Sequence, residues 1–254
     1  MNVFLLTAAA IGGCVFVLWL LSLRLKDASI VDLFWGSGFV IIAWVALWLT
    51  GPSPRGWLVT GLVTLWGLRL SIYLTWRNHG RGEDPRYVVW RNQHGARWTL
   101  RSLFQVFILQ GALMCLISLP VQFAITSKGE LGPLDWLGAA VVLIGVAFET
   151  IGDLQLARFK ADASNKGKVM TLGLWRYTRH PNYFGDAVVW WGLACFGIAS
   201  GAWYTMASSA VMTFLLVRVS GVALLESTMK KRPGYTEYVE STSSFFPLPP
   251  RKAA

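Results

Sequence analysis

The sequence predicts an all-α, polytopic membrane bundle of about seven transmembrane helices, and three observations predict it. Hydrophobic residues make up 54% of the chain and charged residues 14%, with a mean hydropathy of +0.49, whereas soluble domains carry roughly a quarter charged residues. The apolar residues gather into stretches of about 20, the length that a hydrocarbon core of roughly 30 Å demands. The cations, finally, are sorted between the stretches in an alternating pattern.

Seven spans follow in order, near 3–23, 30–50, 57–76, 103–125, 134–157, 183–200 and 202–225, with a tail over 226–254. Their connections are mostly short, so 1–254 reads as a single transmembrane domain. The first span lacks a basic lead-in and is followed by Arg24 and Lys26, which suits an anchor better than a cleaved signal peptide. Lys and Arg number 2, 6, 6 and 5 in the connections after spans one, three and five and in the tail. They number 0, 1, 1 and 0 at the N-terminal end and after spans two, four and six. The positive-inside rule then puts the N-terminus outside and the C-terminus in the cytoplasm, which requires an odd number of spans.

That sorting accounts for the net charge of +10 without nucleic acid as a partner. Membrane lipids and a lipophilic small molecule are the expected partners, and no obligate protein partner is inferred. Cys14, Cys115 and Cys195 each stand alone in a span and suggest packing rather than a disulfide framework. His79, His94 and His180 are too far apart for a helical metal site, so no metal is expected. No Gly-x-Gly-x-x-Gly run follows a predicted strand, so any nucleotide must bind the bundle itself.

Polar residues inside or beside the spans are the candidates for chemistry. At the start of span two, Asp32 and Trp35 could wall a substrate pocket, and Ser29 or Asp32 could equally cap the helix. Along span three, Arg69, Tyr73 and Arg77 recur every four residues as a polar stripe leading to Glu83 and Asp84. Tyr73 could donate a proton or orient a substrate carbonyl, with Glu83 and Asp84 as further catalytic candidates and Arg69 as a substrate contact. An ion pair of Arg69 with Asp32 or Asp153 is the structural alternative.

Near the end of span five, Glu149, Asp153 and Lys160 share one helical face. Acids in an apolar span are expensive unless paired or wet, so they should face a polar cavity. Pro181 suits the first turn of span six. Arg176, Arg179 and His180 stand just before it and would, with the helix N-terminus, seat a pyrophosphate. Asn182 and Asp186, one turn apart, could hold a carboxamide or ribose hydroxyls. The competing reading is a juxtamembrane basic belt anchored by Trp175, Tyr177 and Tyr183. In the tail, Pro233-Gly234 should stop a helix, a short helix should carry Tyr235 and Tyr238, and a Pro-rich extended end should follow. Arg218 is an intramembrane cation with Glu226 or Asp186 as expected partners.

Arg179, His180, Pro181, Asn182, Tyr183 and Gly185 resemble the motif of the steroid 5-alpha-reductase family, whose bacterial branch is catalogued as a domain of unknown function. A similar Arg-His-Pro element occurs in membrane methyltransferases that use S-adenosylmethionine. The segments 32–38, 67–87, 149–186 and 218–250 together extend the resemblance to bacterial members of the reductase superfamily over essentially the whole chain. The resemblance implies a seven-helix enzyme of the bacterial inner membrane that binds NADPH from the cytoplasmic side. Its reaction would pass hydride to a conjugated carbon–carbon double bond of a steroid-like, isoprenoid or fatty substrate.

It also implies nucleotide contacts at Asp153, Lys160, Asn182 and Asp186, with Tyr177 and Arg179 in the same motif and Arg218, Glu226, Tyr235 and Tyr238 in the tail. Leu74 stands where the family's span-three tyrosine falls, one residue from Tyr73, and span two lacks the family's Gln-Glu pair. The reaction type is thus implied without a steroid as its substrate. The alternatives are the methyltransferase and a non-catalytic membrane scaffold.

Overall fold

The computed structural model describes residues 2–219, 222, 226, 229 and 232–251. Among them the regular structure is all helical, with no strand and one isolated bridge between Thr178 and Ser243. Helices α1 (Val3–Leu25), α2 (Ile30–Thr50) and α3 (Pro54–Asn78) follow the first three predicted spans. Local chemistry sets their ends. The Asn2 side chain accepts from the Phe4 N–H at 3.1 Å, and Lys26 closes α1 in the left-handed region at φ 56°. Ser53 accepts from the Gly56 N–H at 3.0 Å, while Pro54 takes a first-turn position where its missing N–H costs nothing.

The fourth span differs from its expected range. Helix α4 (Pro85–His94) forms in the basic connection, and a 3-10 turn (Gly95–Arg97), α5 (Trp98–Ser102), a π-helical stretch (Leu103–Ile108) and α6 (Leu109–Ile117) continue it. The candidate span therefore covers Pro85–Ile117 instead of 103–125. Asp84 and Pro85 supply a cap and a first-turn proline that start it early, and Pro120 belongs to the first turn of the next helix, α7 (Leu119–Thr126).

Helices α8 (Pro133–Ala161), α9 (Pro181–Ala199), α10 (Met206–Phe214) and α11 (Tyr235–Ser241) complete the order, with a π-helical stretch over Leu215–Val219. Among the described residues, five segments are long and apolar enough to cross a membrane: Val3–Leu25, Ile30–Thr50, Pro54–Asn78, Pro85–Ile117 and Pro133–Ala161. These are the dimensions of an integral membrane protein. At the sixth and seventh predicted spans, α9 has 19 residues and the apolar helix Trp203–Val219 is shorter still. Most of 220–225, the end of the seventh predicted span, lies outside the described residues.

The chain forms two compact units. The first comprises Met1–Asp135 and Phe196–Ser208. Here α2 lies along α3 at a separation set by Gly36 and Gly67, because a Cβ on either would collide with the other's carbonyl oxygen. Ser37 Oγ and Ser71 Oγ meet one turn on at 2.9 Å, and Phe39, Trp66, Phe107 and Met114 fill the core. Arg55, 4% exposed, grips Asp135, 0% exposed, through bonds of 2.7 and 2.9 Å. The same guanidinium donates to Ser127 Oγ and to the Glu130 carbonyl, so one buried ion pair fastens the connection between α7 and α8.

The second unit comprises Trp136–Cys195 and Ser209–Ala254. Glycines recur every seven residues at 138, 145 and 152 on α8 and at 185 and 192 on α9. A Cβ on Gly145 would lie 2.7 Å from the Gly185 carbonyl oxygen, and one on Gly192 would lie 2.7 Å from the Val142 nitrogen. Backbone thus touches backbone, the close approach that small residues permit between membrane helices. Glu149 and Asp153 fall among these glycines and are thereby brought against the first turns of α9.

Candidate functional site

In the second unit, the α8–α9 contact brings together Glu149, Asp153, Asn182 and Asp186 of the residues singled out from sequence. Glu149 and Asp153 are each 3% exposed, Asp186 is 6% exposed, and Asn182 Nδ2 donates to Asp153 Oδ1 at 3.1 Å. A hypothetical Cβ on Gly185 would stand 2.8 Å from Glu149 Cβ, so the two acidic helices meet without intervening side chains. The helix start at Pro181 is as the sequence predicts. His180 stacks on Tyr183 at 5.7 Å and 7° between planes.

The basic part of the motif is organised differently from expectation. Arg179 was expected to join Arg176 and His180 as an anion seat. Its guanidinium instead binds Glu226 Oε1 through Nε at 2.8 Å and Nη2 at 2.7 Å, and it donates to the carbonyls of Val239 and Thr242. Arg218 was expected to meet Glu226 or Asp186. It is exposed, and Glu226 is held by Arg179 and approached by His180 Nε2 at 3.4 Å.

Burial drives the His180 pKa down to about 4, outweighing the neighbouring Glu226 carboxylate, and the Arg179 charge adds to the effect. The imidazole is therefore neutral at pH 7 and donates from Nε2 towards Glu226.

The tail is stapled to this motif. Thr178 Oγ1 donates to the Phe245 carbonyl at 2.8 Å, the Arg179 N–H to the Ser243 carbonyl at 2.9 Å and the Leu248 N–H to the Tyr177 carbonyl at 3.0 Å. Gly234, at φ 76°, turns the chain into α11, which buries Tyr235 and Tyr238. Tyr238 donates its hydroxyl to the Trp175 carbonyl. Burial raises its pKa despite the nearby Arg179 charge, so the phenol stays protonated. Lys160, Arg176 and Tyr177 of the predicted set are exposed, as Arg218 is.

Two supports went unnoticed in the sequence. Trp175 Nε1 donates to the Gly152 carbonyl at 3.0 Å, and Gln155 Oε1 accepts from the Leu174 N–H at 2.9 Å. Both tie the loop before α9 back to α8. The glycine at 173, in the left-handed region at φ 62°, was their visible signal.

In the first unit, Asp32 is not a helix cap. Ser29 occupies the cap position without a side-chain cap bond, and its hydroxyl donates to Asp27 instead. Asp32 Oδ1 accepts from Tyr87 OH at 2.8 Å and Gln110 Nε2 at 3.1 Å, and Oδ2 accepts from Arg86 at 2.9 Å. Arg86 thus holds Asp32, and the Arg69 guanidinium lies 5.4 Å from the Tyr73 ring centre. Arg77 approaches the same ring at 5.8 Å. Trp35 packs edge-on against Phe39 at 5.4 Å.

Glu83 accepts from the Ala28 N–H at 2.7 Å and pairs with Arg91 at 2.6 Å. Asp84 caps α4 and pairs with Arg86 at 2.9 Å. Burial acts to raise the Asp84 pKa, but the hydrogen bonds and charge of Arg86 hold it below the ordinary carboxylate value. Asp84 is therefore an ionised acceptor. Tyr87, Arg86 and Gln110 complete this network.

Comparison with known proteins gives one family and one distant relative. The family described as "Protein of unknown function (DUF1295)" matches residues 18–242. An uncharacterized protein of Schizosaccharomyces pombe is 28% identical over 261 aligned residues, which cover 91% of this chain and 76% of that protein. No solved structure matches significantly.

Proposed function

We propose that this chain, which belongs to the family of proteins of unknown function DUF1295, is a membrane-embedded reductase that uses NADPH to reduce a conjugated carbon–carbon double bond of a lipophilic substrate. The observation that carries the reading is the buried polar set of the second unit. Glu149, Asp153 and Asp186 are each under 10% exposed, on helices held together by glycines, with Asn182 bonded among them. Polar side chains within membrane helices are expensive and mark ligand or ion sites.

The chemistry of the donors suits the non-phosphate end of a dinucleotide. Carboxylates accept from ribose hydroxyls or a carboxamide N–H, and an amide offers both a donor and an acceptor. The exposed Lys160 and Arg176 suit its phosphates, since Arg179 is engaged with Glu226. NADPH would supply the hydride. The protein's part is to orient it: Arg179, Tyr235 and Tyr238 hold the tail against the motif, and neutral His180 keeps a positive charge out of the buried set. Asp32, Trp35 and Arg69 remain the proposed substrate contacts, with Tyr73, Glu83 and Asp84 as the proposed catalytic group.

The finer topology belongs to the same reading: seven spans, N-terminus outside, C-terminus in the cytoplasm, in a bacterial inner membrane. Counted against the spans predicted from sequence, nineteen Lys and Arg on one side against two on the other support it. A reporter active only in the cytoplasm should then give signal from 77–102, 160–180 and the C-terminus, and signal from 126–133 would overturn the arrangement. For the activity itself, detergent-purified protein should bind NADPH with an affinity that falls as salt is raised, because phosphate–cation contacts are screened. Binding of S-adenosylmethionine in the absence of NADPH binding would make the chain a methyltransferase instead.

A further inference from the structure

The rod from Pro85 to Ile117 carries its arginines in two different ways. Towards its start, Arg86 pairs with Asp32 and Asp84, and Arg91 with Glu83. Arg97 and Arg101 are exposed and have no carboxylate partner among the described residues. Arg101 makes only a side-chain bond, from Nε to Gln105 Oε1 at 3.1 Å.

Arg97, Leu100, Arg101 and Phe104 follow i, i+3, i+4, i+7 spacing and form one outward stripe. Trp98 and Ser102, at 3% and 1% exposed, define the inward face. Leu100, Phe104 and Ile108 then continue the outward stripe every four residues at 65%, 62% and 42% exposed. Arg97, Leu100, Arg101, Phe104 and Gln105 line an open groove of about 580 Å³. Trp19 Nε1 donates to the Thr99 carbonyl at 3.0 Å, which brings the basic end of α1, with Arg24 in its last turn, to the same level of the unit.

Two cations at the head of an apolar groove that runs on along a membrane-spanning rod have the shape of a phospholipid's complement. We infer that Arg97 and Arg101 form a binding site for an anionic phospholipid, whose phosphate accepts from the two guanidinium groups while an acyl chain lies along Leu100, Phe104 and Ile108. A free anion would use the arginines but not the stripe, and a zwitterionic lipid would use the stripe but gain less from two positive charges. The inference does not depend on the proposed reductase activity, since every residue in it belongs to the first unit.

Native mass spectrometry of the detergent-purified full chain tests it, with phosphatidylglycerol, phosphatidylcholine or inorganic phosphate added at equal concentration. The wild type should retain phosphatidylglycerol in preference to phosphatidylcholine. R97A/R101A should weaken phosphatidylglycerol retention about thirtyfold, as expected for two interfacial arginines, with phosphatidylcholine retention unchanged. R97K/R101K should retain much of the preference, and K166A/K168A, which removes exposed charge from the second unit, should leave it intact. An R97A/R101A protein with the wild-type preference would overturn the site, as would retention of inorganic phosphate in place of lipid. Equal loss in K166A/K168A would reduce it to an effect of net charge. Both arginines are exposed, so the melting temperature without lipid should not move, and a drop there would show that they are structural.

Discussion

The two units place their charges differently. In the first, pairs of opposite sign join one element to another: Arg55 with Asp135, Arg86 with Asp32, Arg91 with Glu83. In the second, Glu149, Asp153 and Asp186 lie buried on one helix pair, and the buried Arg179 binds Glu226. Paired charges fix connections between elements. Carboxylates gathered inside two membrane helices in backbone contact are the kind of residue that marks a ligand or ion site, which is the physical reason to look for a ligand there.

The sharpest way to break the comparison is to remove one side of a pair in the first unit. Asp135→Ala leaves Arg55 buried without its carboxylate and should cost about 3–5 kcal/mol, read as a drop in melting temperature or in the denaturant midpoint. A loss below about 1 kcal/mol would mean that this pair does not fasten the α7–α8 connection.

In the second unit, the neutral His180 makes stability depend on pH. Its pKa is about 4 in the folded protein against roughly 6.5 when unfolded, so the unfolded chain binds the proton first as pH falls. Stability should be flat in this group's contribution above pH 6.5 and decline between pH 6.5 and about 4, by about 3 kcal/mol in all. His180→Asn should flatten that part of the profile, and an unchanged slope in the variant would assign the dependence to other groups.

Gly145→Ala probes the helix contact that brings the acids together. Its Cβ would meet the Gly185 carbonyl oxygen and the Val189 nitrogen, each at 2.7 Å. Overpacking of this kind should cost about 1–3 kcal/mol and weaken ligand binding with it. Gly13→Ala, whose Cβ meets nothing within 4 Å, should be silent in the same melting experiment. Equal effects would deny the contact its role.

What could be read from sequence was what is local. The start of α9 at Pro181, the turn at Gly234 and the short helix bearing Tyr235 and Tyr238 all follow from cap and turn chemistry within a few residues, whereas α3 starts at Pro54, ahead of the predicted 57. The early start at Pro85 shows the limit, because Arg86 and Arg91 read as loop cations in the sequence, whereas the fold pairs them with Asp32 and Glu83. Partners 54 to 80 positions apart, as in Asp32–Arg86, Asp32–Gln110 and Arg55–Asp135, have no periodic signature. The same distance effect gave Glu226 to Arg179 rather than to Arg218. The seven-residue glycine spacing on α8 and α9 was present in the sequence, and its meaning emerges only when the two helices are seen against each other.

Whether the buried polar set of the second unit serves a ligand or only the fold is decided most directly on Asn182→Ala, with melting temperature and NADPH titration measured on the same sample. The substitution removes the bond to Asp153 without stranding a charge of its own. The proposed reading predicts NADPH affinity weaker by about 1–3 kcal/mol with a melting temperature close to that of the wild type. A destabilised variant that binds NADPH as tightly as the wild type, or a wild type that does not bind it at all, would contradict it.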